Sequence, residues 1–131
     1  VESDRVRVSH RRVSDVTVIR IAGELDVDAV DEVTAAIDRA RRSDDDRLVF
    51  DLGGLEFLDN MGLRALIAAW KHARAHGGAV HLAALRPNVR WVLDVTQLNA
   101  YLPIHADVED AVRAATAASA DAPAEAEWDE T

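Results

Sequence analysis

Residues 48–63, LVFDLGGLEFLDNMGL, constrain the fold more than any other stretch of this chain. Leu48, Val49 and Phe50 are continuously apolar with little alternation, as a central strand buried on both faces requires. Gly53-Gly54 turns the chain and a short hydrophobic step follows. Asp59-Asn60-Met61-Gly62 then opens an amphipathic helix, with Leu63, Leu66, Ile67 and Trp70 spaced as one inward stripe. A strand, a turn and a polar helix start present a small polar site on a rigid frame. The first backbone N–H groups of such a helix lack intrahelical partners and carry the positive end of the dipole. Asn60 therefore occupies a position where an anion is well held.

The flanking sequence completes the plan. Val6 and Val8, then Val16, Val18, Ile19 and Ile21, are β-branched runs joined through Ser14-Asp15, a hairpin pattern that ends at Gly23. Asp26 or Asp28 can cap a helix carrying Val30, Val33, Ile37 and Ala40 on one face. Gly77-Gly78 stops the second helix. Val80-His81-Leu82 makes the next strand, and Pro87 stands ahead of a third helix marked by Val89, Val92 and Leu93. Residues 101–104 read as an edge strand that tolerates Pro103, and Val108, Ala111, Val112 and Ala115 mark a last helix. The order ββαβαβαβα predicts one α/β domain over residues 1–116. Its mixed sheet has four or five strands, and about four helices pack mainly on one side. Residues 117–131, rich in alanine and acid, are expected to be a disordered tail, with Trp128 a dangling residue or a docking anchor.

Charge narrows the function. The net charge is −9, and five of those charges are Asp121, Glu125, Glu127, Asp129 and Glu130 in a tail without a base. Phosphate binding needs a concentrated basic face, so nucleic acid is not the expected partner. Arg39, Arg41 and Arg42 are followed at once by Asp44, Asp45 and Asp46, which fits a solvated helix end. There is no cysteine, no signal-peptide pattern, and no apolar run near the roughly 18 residues of a membrane span. A cytoplasmic protein without membrane insertion is expected.

Catalytic patterns are missing. Gly53-Gly54 follows a strand, but no Lys-Ser/Thr pair follows it and the spacing fits no dinucleotide fingerprint. His72 and His76 stand four apart on a helix, which is ligand spacing. No His-Glu-x-x-His pattern surrounds them, so surface histidines near a helix C-terminus are expected. His10, His81 and His105 show no pairing pattern. Asp51 and Asp59 lack the further polar group an acid/base site needs. No catalysis, metal or cofactor is expected.

The element order, the Gly23-Glu24-Leu25-Asp26 turn and the Leu58-Asp59-Asn60-Met61-Gly62-Leu63 helix start together resemble a STAS domain of the anti-sigma factor antagonist type. The likeness covers residues 5–116. It implies a partner switch: such proteins bind an anti-sigma factor, often one with a GHKL-type serine kinase domain, and so free a sigma factor. A Ser or Thr directly after the helix-opening aspartate takes the phosphate that breaks the complex. The aspartate corresponds to Asp59, the glycine to Gly62 and the acceptor to Asn60, which has no hydroxyl. The resemblance implies a partner-binding set of Glu24, Leu25, Asp26, Asp59, Asn60, Met61, Gly62 and Arg64, with Asp26 equally placed to serve as a cap. It leaves open an accessory or scaffold subunit of a transporter ATPase or a stressosome-like complex, and a small-ligand or nucleotide sensor.

Overall fold

The computed structural model describes residues 5–116. The proposed tail 117–131 and Trp128 lie outside the described residues. Strand β1 (Val6–Val13) and β2 (Val16–Leu25) form an antiparallel hairpin, Val13 facing Val16 across a two-residue turn that begins at left-handed Ser14 (φ 55°). Helix α1 (Val30–Ala40), β3 (Arg47–Asp51), β4 (Leu55–Leu58), α2 (Leu63–His76), β5 (Ala79–Ala83), α3 (Pro87–Val95) and β6 (Ile104–His105) follow. Residues 108–116 form α4.

The strand order is β1-β2-β3-β5-β6, with β4 paired to β2 beyond the end of β3. Every pairing after the hairpin is parallel. Alternation sorts the side chains to two faces. Ile19, Ile21, Leu48, Phe50, Val80 and Leu82 meet α1, α2 and α3 in the main core. Val16, Val18, Val49 and Ala83 meet Ala111 and Ala115 of α4 in a smaller cluster. Three helices thus share one side and one covers the other.

Several expectations are corrected. The hydrophobic step is a sixth strand, β4. Strand β2 runs through Gly23 to Leu25, with a register shift between Gly23 and Glu24. Neither Asp26 nor Asp28 caps α1, whose N-cap is Ala29 with no side-chain bond. The edge strand begins only at Ile104, because Pro103 has no N–H to give; its carbonyl accepts from the Leu82 N–H at 2.8 Å. In α2 the buried face runs through Leu63, Ala65, Leu66, Ala69 and Ala73, while Ile67 and Trp70 are only half-buried at its margin. Small alanines let this helix lie close to its neighbours. Among the described residues, no helix is long and apolar enough to cross a membrane.

Candidate partner-binding site

Parallel pairing of β4 with the end of β2 brings the two candidate segments together. Glu24 faces Phe57 and Leu25 faces Leu58, so the chain leaving β4 at Asp59 passes directly beside Leu25. The Asp59 N–H donates to the Leu25 carbonyl at 3.4 Å. The Asp59 carboxylate accepts from the Gly62 N–H at 2.7 Å, a local side-chain bond that closes the turn ahead of the helix. The Leu63 N–H reaches the Asp59 carbonyl at 3.1 Å, and Arg64 and Ala65 continue with shorter-range bonds to Met61 and Gly62. Residues 60–62 are therefore a tight turn, and regular helix starts at Leu63 rather than at Asn60.

The eight candidate residues divide by exposure. Glu24, Asn60, Met61 and Arg64 face solvent. Leu25, Asp26 and Gly62 are buried and Asp59 is half-buried, so these four shape the surface more than they offer themselves to it. Met61 is 41% exposed, an adaptable apolar side chain on the turn's outer side. Arg64 lies with Ile67, Ala68 and Lys71 along a shallow hollow on the outer face of α2.

Asp26 holds its own loop. Its carboxylate accepts from the Asp28 N–H at 3.0 Å and is ion-paired with Arg5. The Arg5 guanidinium also reaches Glu24 at 3.0 Å and Asp28 at 3.5 Å. The Glu24 hydrogen bond first, and the Asp26 charge second, push the Arg5 pKa up. Arg5 was not legible as a site residue, since its three acids lie 19 to 23 residues away. Phe57, 44% exposed, lies opposite Glu24, a placement that a short hydrophobic step does not reveal before β4 pairs with β2. Val27, 55% exposed, adds a third apolar surface residue to these segments.

The arrangement suits binding. Asp59 is committed to the Gly62 N–H, and Asp51 to the Gly53 N–H at 3.1 Å and to Arg20 at 3.2 Å, so the two carboxylates serve separate turns. None of residues 59–62 carries a hydroxyl. Histidines pair where sequence showed no pattern: His81 Nδ1 lies 3.0 Å from His105 Nε2, across the β5–β6 edge. Burial, then the charge of His105, pushes the His81 pKa down.

The STAS domain family model matches residues 7–111. The chain is 29% identical over 102 residues to the anti-sigma F factor antagonist of Paenibacillus polymyxa, an alignment covering 77% of this chain and 86% of that protein. Its fold matches the crystal structure of an anti-sigma factor antagonist from Mycobacterium paratuberculosis with a TM-score of 0.77 at 26% identity, covering 88% of this chain and 97% of the other. A STAS domain protein from Planctomyces limnophilus shares the fold, with a TM-score of 0.68 at 24% identity over 83% of this chain and 95% of that one.

Proposed function

The chain belongs to the STAS domain family, and on that footing we propose that it is an anti-sigma factor antagonist, a regulatory binding protein rather than an enzyme. The observation that carries this reading is the fixed, exposed Asn60-Met61 turn, held at one end by the Asp59 carboxylate and set against Leu25 at the end of β2 by the β2–β4 pairing. The partner is an anti-sigma factor, of the kinase-like type where the family's phosphoswitch operates. Glu24, Asn60, Met61 and Arg64 meet it directly, and Leu25, Asp26, Asp59 and Gly62 keep their geometry. The domain that carries this surface spans residues 1–116.

An amide at position 60 cannot receive a phosphate ester. It matches the unphosphorylated state in charge, so the turn stays binding-competent and control comes from abundance, a ligand or the partner. Phosphate at such a turn would act through its charge of about −2, by repulsion and desolvation against a closely fitted partner. Asn60→Asp places one negative charge there with little change of shape. Titration with the anti-sigma factor should give at least a tenfold weaker Kd for Asn60→Asp than for the wild type. Equal affinities would remove the charge logic from this turn.

The missing hydroxyl also favours a second reading, in which the domain is an accessory or scaffold subunit that never needed the switch. A pull-down that recovers a transporter ATPase in place of a kinase-like protein decides for it.

A further inference from the structure

The C-terminal end of α2 carries a cluster that partner binding does not use. His72 and His76 project from successive turns of the helix, their rings stacked with centroids 4.3 Å apart. The loop between α1 and β3 brings Asp44 onto the same spot, with its carboxylate 3.1 Å from His72 Nε2. One donor atom from each of the three residues lies within 4.8 Å of the other two. We propose that Asp44, His72 and His76 form a site for one divalent transition-metal ion, Zn²⁺ the first candidate, clipping the α1–β3 loop to the last turn of α2.

Two features go beyond spacing. The His76 Nδ1 is 2.8 Å from the His72 carbonyl oxygen. As an N–H donor to that oxygen it fixes the tautomer that leaves the Nε2 lone pair outward, the backbone-anchored arrangement that orients metal-binding imidazoles. The His72 Nε2 and the Asp44 carboxylate share a single proton's position, and a metal ion takes that place while keeping both partners. Tetrahedral Zn²⁺ with bonds of about 2.0–2.1 Å sets its donors about 3.3 Å apart. Closing from 4.8 Å asks for little more than side-chain rotation at two exposed residues and one half-buried one.

The donor set selects the ion class. Two imidazoles and one carboxylate suit Zn²⁺, Ni²⁺ or Cu²⁺ and disfavour Mg²⁺ and Ca²⁺, which take oxygen. Arg41 lines the hollow beside Asp44 and His72, with one Nη paired with Asp38 at 2.8 Å and the other buried with no hydrogen bond among the described residues, while Asp45 takes the Ser43 hydroxyl at 2.7 Å. Exposed Arg42 lines the same hollow and moderates the attraction for a cation. With α2 about 20 Å long, the site lies at the opposite end from Asn60.

Calorimetric titration of the untagged full chain with Zn²⁺ tests this, alongside Asp44→Asn and His76→Gln. One site is expected in the wild type, weakened at least tenfold by either substitution. Hydrogen exchange should show Zn²⁺ slowing the amides of residues 42–46 as well as those of the last turn of α2. Wild-type affinity in Asp44→Asn, with no protection of the loop, would reduce the site to a helical histidine pair and overturn the clip. Binding no tighter in the wild type than in His76→Gln would overturn the site altogether. Both substitutions replace exposed side chains, and far-ultraviolet circular dichroism checks that the fold is kept.

Discussion

Gly62 lies against the backbone carbonyl of Leu25: a Cβ on Gly62 would stand 2.1 Å from that oxygen. The obstacle is main chain at the end of β2, so no side-chain rotation relieves it. The α2 start and the β2 end therefore approach as closely as they do only because position 62 has no side chain. Gly62→Ala should cost about 3 kcal/mol, at the upper end of overpacking effects. Gly77 is the control, since its φ of 76° is left-handed but nothing lies within 4 Å of its Cβ position. Gly77→Ala should cost only about 1–2 kcal/mol, the ordinary left-handed penalty. Urea unfolding of the two variants checks the ranking, and equal losses would remove close approach as the reason for Gly62.

Much of this frame is legible before folding is considered. Buried strands must be apolar on both faces, so Leu48-Val49-Phe50 and the runs around Ile19 and Leu82 declare themselves. The polar segment at 59–62 ahead of α2 is legible too, although it forms a turn and regular helix starts only at Leu63. What stays hidden depends on distant pairing. Leu55–Leu58 is a strand only because Gly23, Glu24 and Leu25, more than thirty residues earlier, lie alongside it. His81 meets His105 only through β5–β6 pairing, and Asp44 meets His72 only once the loop after α1 reaches α2. The face of α2 is legible only in part, through Leu63 and Leu66, for a different reason. Alanine carries little weight in a hydrophobic pattern, yet Ala65, Ala69 and Ala73 form the close contact, and the larger Ile67 and Trp70 sit at its edge.

Asp46 secures the start of β3. Its buried carboxylate accepts from the Thr17 hydroxyl at 2.6 Å, from the Arg42 and Arg47 N–H groups at 2.9 Å each, and from Arg12 at 2.9 Å. Burial pushes its pKa up, but the bonds from Thr17, Arg42 and Arg12 together pull it below the ordinary 3.8. A carboxyl lowered on folding stabilises the protein fully above 3.8 and loses that contribution as pH falls through its folded value. Asp46→Ala should cost roughly 3 kcal/mol at pH 7, because it strands several buried donors at once. Unfolding curves collected between pH 7 and 3 should show a shallower acid limb for the variant; parallel limbs would contradict the assignment.

Arg5 is half-exposed, with 47% of its side chain accessible, so its ion pairs contribute little to global stability. Their effect is on the loop. Glu24, Asp26 and Asp28 carry like charges within five residues, and the Arg5 fork holds them together. Arg5→Ala should leave the urea unfolding midpoint almost unchanged. It should weaken binding to the proposed anti-sigma factor about fivefold, because the loop must then be ordered on association. Arg5→Lys should fall between the two, because an ammonium group cannot engage two carboxylates in one plane. Unchanged affinity in Arg5→Ala would take residues 24–28 out of the partner surface.

The His81–His105 pair makes stability depend on pH near neutrality. The half-buried His81 binds its proton less readily in the folded protein than at the ordinary 6.5, first through burial and second through His105. Between the folded value and 6.5 the unfolded chain holds more protons, so stability rises with pH across that window and is complete above it. Acidification from pH 7 to 5 should therefore lower the midpoint of chemical unfolding, with a slope that His81→Gln removes. His105→Gln distinguishes the causes. It removes the neighbouring charge but leaves His81 buried, so most of the slope should survive. Were His105→Gln to flatten the profile as fully as His81→Gln does, charge coupling rather than burial would govern this edge of the sheet.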